Sequence, residues 1–201
     1  MKGIYYICFV AMLLALLLSG CKKVSTPDEW KDLKEVADNY SLEDAKRDGY
    51  VIIEDLSVTY GEETWQSFVN SSAEKIPCNV RVVHYYTLDD ASHYDSEYYE
   101  SIKDDYPMMF IFEIIYNGET FSESHYEEDR LYQSEYKYLM RYEGEPDTQN
   151  ATFTSYVRYV LVNDDNVTWD DIMHGMLSSQ SAANIPHSQI YTDLAYREEN
   201  K

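Results

Sequence analysis

The residues best equipped for chemistry in this chain are its carboxylates. Its 37 aspartates and glutamates stand against 16 lysines and arginines, a formal charge of −21. They are densest in DDASHYDSEYYESIKDDYP, residues 89–107. Grouped carboxylates bind hard cations through oxygen, so Asp89, Asp90 and Asp95 are candidate ligands for calcium, although no EF-hand loop with its central glycine is present. The same stretch carries Tyr94, Tyr98, Tyr99 and Tyr106, rigid amphipathic rings of the kind that binding loops present to a protein or a glycan. A third reading is a solvated excursion with one helical turn, its tyrosines leaning back on a sheet. Long connections between strands are often functional. Two acids facing each other across a cleft would suit glycoside hydrolysis, and a hydrolase of that kind, acting on a glycan, is the alternative to a binding role.

Other chemistries lack their residues. There is no Gly-x-Ser-x-Gly elbow and no cysteine–histidine signature of a protease. The five histidines, His84, His93, His125, His174 and His187, have neither the helical His-x-x-x-His spacing nor the cysteine partners of a zinc site. None of the seven glycines falls in a phosphate-cradling loop. Nucleic acid is excluded as a partner, because polyanions are bound by basic surface. Cys78, ahead of an apolar alternation, is expected to be a small buried hydrophobe rather than a nucleophile.

The N-terminus carries a chemistry of its own. Ile4 to Leu18 is uncharged and apolar behind Lys2, the length of a secretion-signal core and short of the ~20 residues that span a bilayer. It ends on Leu18-Ser19-Gly20-Cys21, which resembles the lipobox of bacterial lipoproteins. That resemblance implies cleavage after residue 20 and acylation of the Cys21 sulfur. One acyl chain holds a protein only marginally on a membrane, and two or more hold it stably. Lys22 and Lys23 would then lie against anionic headgroups. The expected location is the extracytoplasmic face of a bacterial cell membrane, reached through the lipid anchor.

Behind the anchor, residues 21–39 read as a polar tether with a short helix near Trp30 to Ala37, and residues 40–201 as a single domain. So acidic a chain could be disordered, but 21 tyrosines, six phenylalanines and three tryptophans supply the surface for a core. Ser41 with Asp44 at N3 predicts a capped helix closed by Gly49. Tyr50 to Ile53 predicts a strand. Trp65, Phe68 and Val69 mark one face of a helix over Glu62 to Lys75. Val80 to Tyr86 and Met108 to Tyr116 are β-branched and aromatic runs, and Asn117-Gly118 signals a type I′ hairpin into Thr120-Phe121. Further strands are expected at Leu131 to Tyr142 and Thr154 to Val162. Thr168 with acids behind it opens a last helix through Ile172, Met173, Met176 and Leu177. Asn163 to Asn166 suits a plain turn. The class is α+β, an antiparallel sheet with a few helices packed on one face.

From about Gly49 to Tyr191 the chain resembles a family of Gram-positive lipoproteins known only as a domain of unknown function. The likeness rests on Trp65 and Phe68, on Arg81-Val82-Val83-x-Tyr85, and on Tyr116-Asn117-Gly118-Glu119-Thr120-Phe121. It implies a lipobox and no catalytic residues. The reading that follows is an envelope-tethered, non-enzymatic binding module, with Tyr94, Tyr98, Tyr99 and Tyr106 as contact groups, calcium as a possible ligand of Asp89, Asp90 and Asp95, and an envelope protein or glycan as partner.

Overall fold

Among the described residues nine strands and four α-helices form, and the class is α+β as the sequence implies. The computed structural model describes Trp30 and residues 32–36, 40–127, 130–146, 148–178 and 184–197. Cys21, the signal segment and most of the tether lie outside the described residues. Where the sequence suggests a helix near Trp30, the described part is a single 3₁₀ turn, Leu33–Glu35, capped by the Asp32 carboxylate.

Helix α1 (Leu42–Arg47) starts on the expected capping box, in which Ser41 Oγ accepts from Asp44 N–H and the Asp44 carboxylate accepts from Ser41 N–H. Strands β1 (Val51–Glu54) and β2 (Ser57–Tyr60) form a hairpin on a two-residue loop. Its Asp55 and Leu56 both have positive φ, 47° and 70°, the backbone of a type I′ turn in a sequence without glycine. Helix α2 (Glu62–Ala73) then carries the chain back to β3 (Cys78–Tyr86), which lies parallel to β1. Strand β3 is central and buried on both faces, so its apolar run is nearly continuous.

Strands β4 (Met108–Tyr116), β5 (Phe121–Glu127) and β6 (Arg130–Tyr136) follow in antiparallel succession, giving a six-stranded sheet of order β2-β1-β3-β4-β5-β6. The β4–β5 hairpin falls where Asn117-Gly118 places it, on a different turn. Four residues form the loop, only Gly118 has positive φ, and the Asn117 carboxamide oxygen accepts from the N–H groups of Glu119 and Thr120. Asparagine here closes the turn with its side chain instead of entering the left-handed region itself.

The single strand expected over Leu131 to Tyr142 is two. Strand β6 ends at Tyr136, and β7 (Tyr138–Gly144) begins a second sheet with β8 (Phe153–Val162) and β9 (His187–Tyr196). Only Lys137 separates them, its N–H donating to Val162 O at 3.1 Å. No glycine or proline marks the crossing, since neither flanking residue leaves extended backbone. Both sheets and α2 share one core: Val51, Val80, Val82, Ile114 and Phe121 meet Tyr159, Leu161, Ile190 and Tyr191 around Trp65 and Phe68. The Trp65 ring stacks on Tyr191 at 4.6 Å and meets Tyr159 edge-on at 5.1 Å. Helix α4 (Trp169–Leu177), begun by a Thr168–Asp171 capping box, covers Val160 and Val162 on the other face of the second sheet with Ile172. Strand β9 closes on the first hairpin: Leu194 N–H donates to Leu56 O, and Ser57 Oγ donates to Leu194 O at 2.6 Å. No helix among the described residues is long and apolar enough to cross a membrane.

Candidate binding surfaces and a buried acid–histidine pair

The connection between β3 and β4 folds into a 3₁₀ turn (Ala91–His93), helix α3 (Ser96–Ile102) and a second 3₁₀ turn (Lys103–Asp105). Its carboxylates build these turns. Asp90 accepts from Ser92 N–H at 2.8 Å, and Asp95 accepts from the N–H groups of Glu97 and Tyr98 as the N-cap of α3. The hydrogen bonds to Ser92 hold the Asp90 carboxyl below its usual range. Asp89 is exposed, 4.0 Å from His93. The three proposed calcium ligands are thus spread over successive turns, two of them satisfied by backbone. Among the described residues no group of three or more metal-binding side chains comes together.

The tyrosines do come together. Tyr94 lies 6.1 Å from Tyr98 and 6.0 Å from Tyr99 between ring centroids, tilted by about 40°, an arrangement within the favourable range for aromatic pairs. No residue of the connection is buried, and Tyr98 keeps 56% of its surface. Asp95, Glu97 and Glu100 belong to the same segment. Tyr106 stands apart at the entry to β4, half-buried ahead of a cis bond to Pro107.

A feature the sequence reading passed over lies inside the first sheet. Glu123 and His125, two residues apart on β5, share the core-facing side with Ile114 and Phe112 of β4. Glu123 is 4% exposed, and its Oε1 is 2.7 Å from His125 Nδ1. A carboxylate so placed accepts a hydrogen bond from Nδ1–H and leaves Nε2 as the ring's other nitrogen. The imidazole stacks on Tyr132 at 5.2 Å and leans on Phe112 at 4.9 Å. Glu-x-His within an alternating strand was the available signal, because period two puts both on one face. Among the described residues no hydroxyl or thiol is hydrogen-bonded to His125, so the pair has an orienting acid and a base without the nucleophile that completes acyl-transfer catalysis.

His84 is a packed histidine, as its place in a strand suggests. Its Nε2–H donates to Ile190 O at 3.1 Å, which leaves Nδ1 to accept from the Tyr86 hydroxyl at 3.3 Å. Desolvation pushes its pKa down despite the bond to Ile190. Cys78 is likewise buried, its thiol raised to about 11 by desolvation. On the opposite face of β3, Arg81 is 2% exposed and meets Glu113 at 2.7 Å while donating to the Tyr50 hydroxyl.

Two of the clefts formed by the described residues bear on function. One lies beside α4, and its acids, Asp164 and Asp171, are engaged by the Asn166 turn and the Thr168 cap. Those hydrogen bonds hold both carboxyls below their usual range, the reverse of what a glycosidase's general acid needs. The other, of about 620 Å³, lies between the end of α2, the β4–β5 hairpin and the start of β7. Comparison with family models, curated proteins and solved structures finds no match to this chain. The site therefore rests on geometry alone.

Proposed function

We propose that this protein is a lipid-anchored, extracytoplasmic binding module of the bacterial envelope, without catalytic activity, which presents the acidic tyrosine face of α3 to a basic segment of a protein partner. The Leu18-Ser19-Gly20-Cys21 motif supports the anchor. The observation that carries the binding reading is the tyrosine trio: Tyr98 and Tyr99 of α3 cluster with Tyr94, which precedes the helix, in a connection with no buried residue and with the Tyr98 ring largely exposed. Large aromatic side chains left at the surface supply contact area at low conformational cost. Their surroundings choose the partner. Acidic side chains repel an acidic glycan and attract lysine and arginine, so complementarity favours a basic peptide.

The test is titration of the full chain with a Lys/Arg-rich peptide of about eight residues, an acidic peptide of equal length and a neutral chito-oligosaccharide. The basic peptide is expected to bind, with affinity falling as salt rises. Tyr98→Ala with Tyr99→Ala should weaken it at least tenfold and leave the melting temperature within a degree or two. Equal binding of the three probes, or an unchanged affinity in the double variant, would refute the assignment.

A further inference from the structure

The cleft beneath the β4–β5 hairpin gathers cationic side chains beside an apolar lining. Its floor is apolar, formed by Val69, Phe121 and Leu139 with the ring of Tyr159. Its rim carries Lys75, Lys137 and Arg141 together with Glu119 and Tyr138. In a chain of charge −21, several cations are drawn onto neighbouring carboxylates: Lys46, Arg47, Arg81 and Lys103 each have one within 3.1 Å. Arg141 has one also, Glu143 at 2.6 Å. Lys75 and Lys137 have no ion-pair partner among the described residues.

Lys75 stands out further. It follows α2 as the closing residue of a helix-terminating motif, where Ile76 N–H donates to Ser71 O and Lys75 N–H donates to Ser72 O. Its φ is +59°. That position favours glycine, and an L side chain there is strained. A lysine kept where glycine would be more stable, with its side chain on the rim of a cleft, is a local concession of stability of the kind found at functional sites. The volume falls within the ~300–1,000 Å³ usual for small-molecule sites, and Tyr138 leaves 38% of its surface at the mouth.

From these features we infer that the cleft between α2, the β4–β5 hairpin and β7 is a binding site for a small acidic saccharide. Lys75 and Lys137 would take the carboxylate, and the Tyr138 ring would take a face of the sugar. The site is independent of the α3 surface: β4 runs from one to the other, its nine residues separating them by roughly 27 Å.

The experiment is titration of the full chain with galacturonate di- and trisaccharides, with the neutral galactose disaccharide and inorganic phosphate as controls. The acidic sugars are expected to bind at least tenfold more tightly than either control. Lys137→Gln should reduce that affinity about tenfold, as loss of a charge-assisted contact does, while Lys137→Arg keeps it within about threefold. Lys75→Gly should lose affinity while raising the melting temperature by about 2–4 °C, since it relieves the left-handed backbone. Tyr98→Ala should leave sugar binding unchanged, so a failure of the α3 assignment does not touch this one. Equal binding of neutral sugar, phosphate as tight as the saccharide, full affinity in Lys137→Gln, or no binding at 10 mM would each overturn the inference.

Discussion

Replacing Trp65 tests whether one core joins the two sheets. The side chain is 2% exposed and touches Phe68 of its own helix and Tyr159 and Tyr191 of the second sheet. Trp65→Ala removes that burial and leaves a cavity, a loss of about 3–5 kcal/mol. For a domain of this size each kcal/mol moves the melting temperature by about 2–4 °C, so the expected fall is about 6–20 °C. Trp65→Phe should cost much less than the volume change suggests. The indole Nε1–H is buried with no acceptor among the described residues, and removing an unsatisfied donor recovers about 1–3 kcal/mol. The phenyl ring still lies over Tyr191, so a net loss under half that of the alanine variant follows. Urea unfolding of Trp65→Ala, Tyr191→Ala and the double variant should give a coupling of about 0.5–1.5 kcal/mol for the stacked pair. A loss below about 1 kcal/mol for Trp65→Ala, or additive single effects, would refute the shared core.

Cys21→Ser should abolish acylation and release the protein from membrane fractions, and retention of a fully processed form there would remove the lipobox reading. Asp44 is held down to about 2 by hydrogen bonds from Ser41 and then by Arg47. A depressed folded pKa adds stability above the unfolded value near 4 that is lost as pH falls towards 2. The difference in melting temperature between the native chain and Ser41→Ala should therefore shrink across that interval, and a constant difference would contradict it. Cys78, raised to about 11 by burial, should react with a thiol reagent at pH 8 only when urea unfolds the protein, whereas fast labelling of the folded chain would place the thiol at the surface. Calcium and magnesium at equal millimolar concentration should shift the melting temperature equally, because Asp90 and Asp95 are already satisfied by backbone. A calcium-specific rise of several degrees would instead reveal a site on these turns.

Much of the fold was legible because local signals agree with it. Ser41 with Asp44, and Thr168 with Asp171, place two helix starts by side-chain chemistry that acts within four residues. Trp65, Phe68 and Val69 mark the buried face of α2 at helical spacing. What escaped was determined at long range. The β6-to-β7 crossing is set by Val162, which takes the Lys137 N–H, and nothing between Tyr136 and Tyr138 announces it. Strand β2 follows a type I′ turn at Asp55-Leu56 that lacks the glycine such turns usually show; Asp55 instead accepts from Thr87 N–H and Oγ. At the surfaces, Tyr94, Tyr98 and Tyr99 were readable as a cluster from their density in one polar segment. The pairing of Glu123 with His125 and the gathering of Lys75 and Lys137 needed strand register and hairpin packing to become visible.

The closure of β9 on the first hairpin bears on how the chain can be made. Ser57 meets a residue 137 positions later, Val58 one 135 later, and the Tyr196 hydroxyl reaches Asp55 across 141. Until that last strand arrives, Ile190 and Tyr191 are missing from around Trp65, and every shorter emerging length has an open interior. Loop closure of that span slows folding, because its entropy is lost before distant contacts return it. A ribosome or translocon delivering the chain from its N-terminus would hold the fold open until β9 emerges, so deletion of Ile190–Tyr196 should produce an aggregating, protease-sensitive polypeptide instead of a slightly smaller domain.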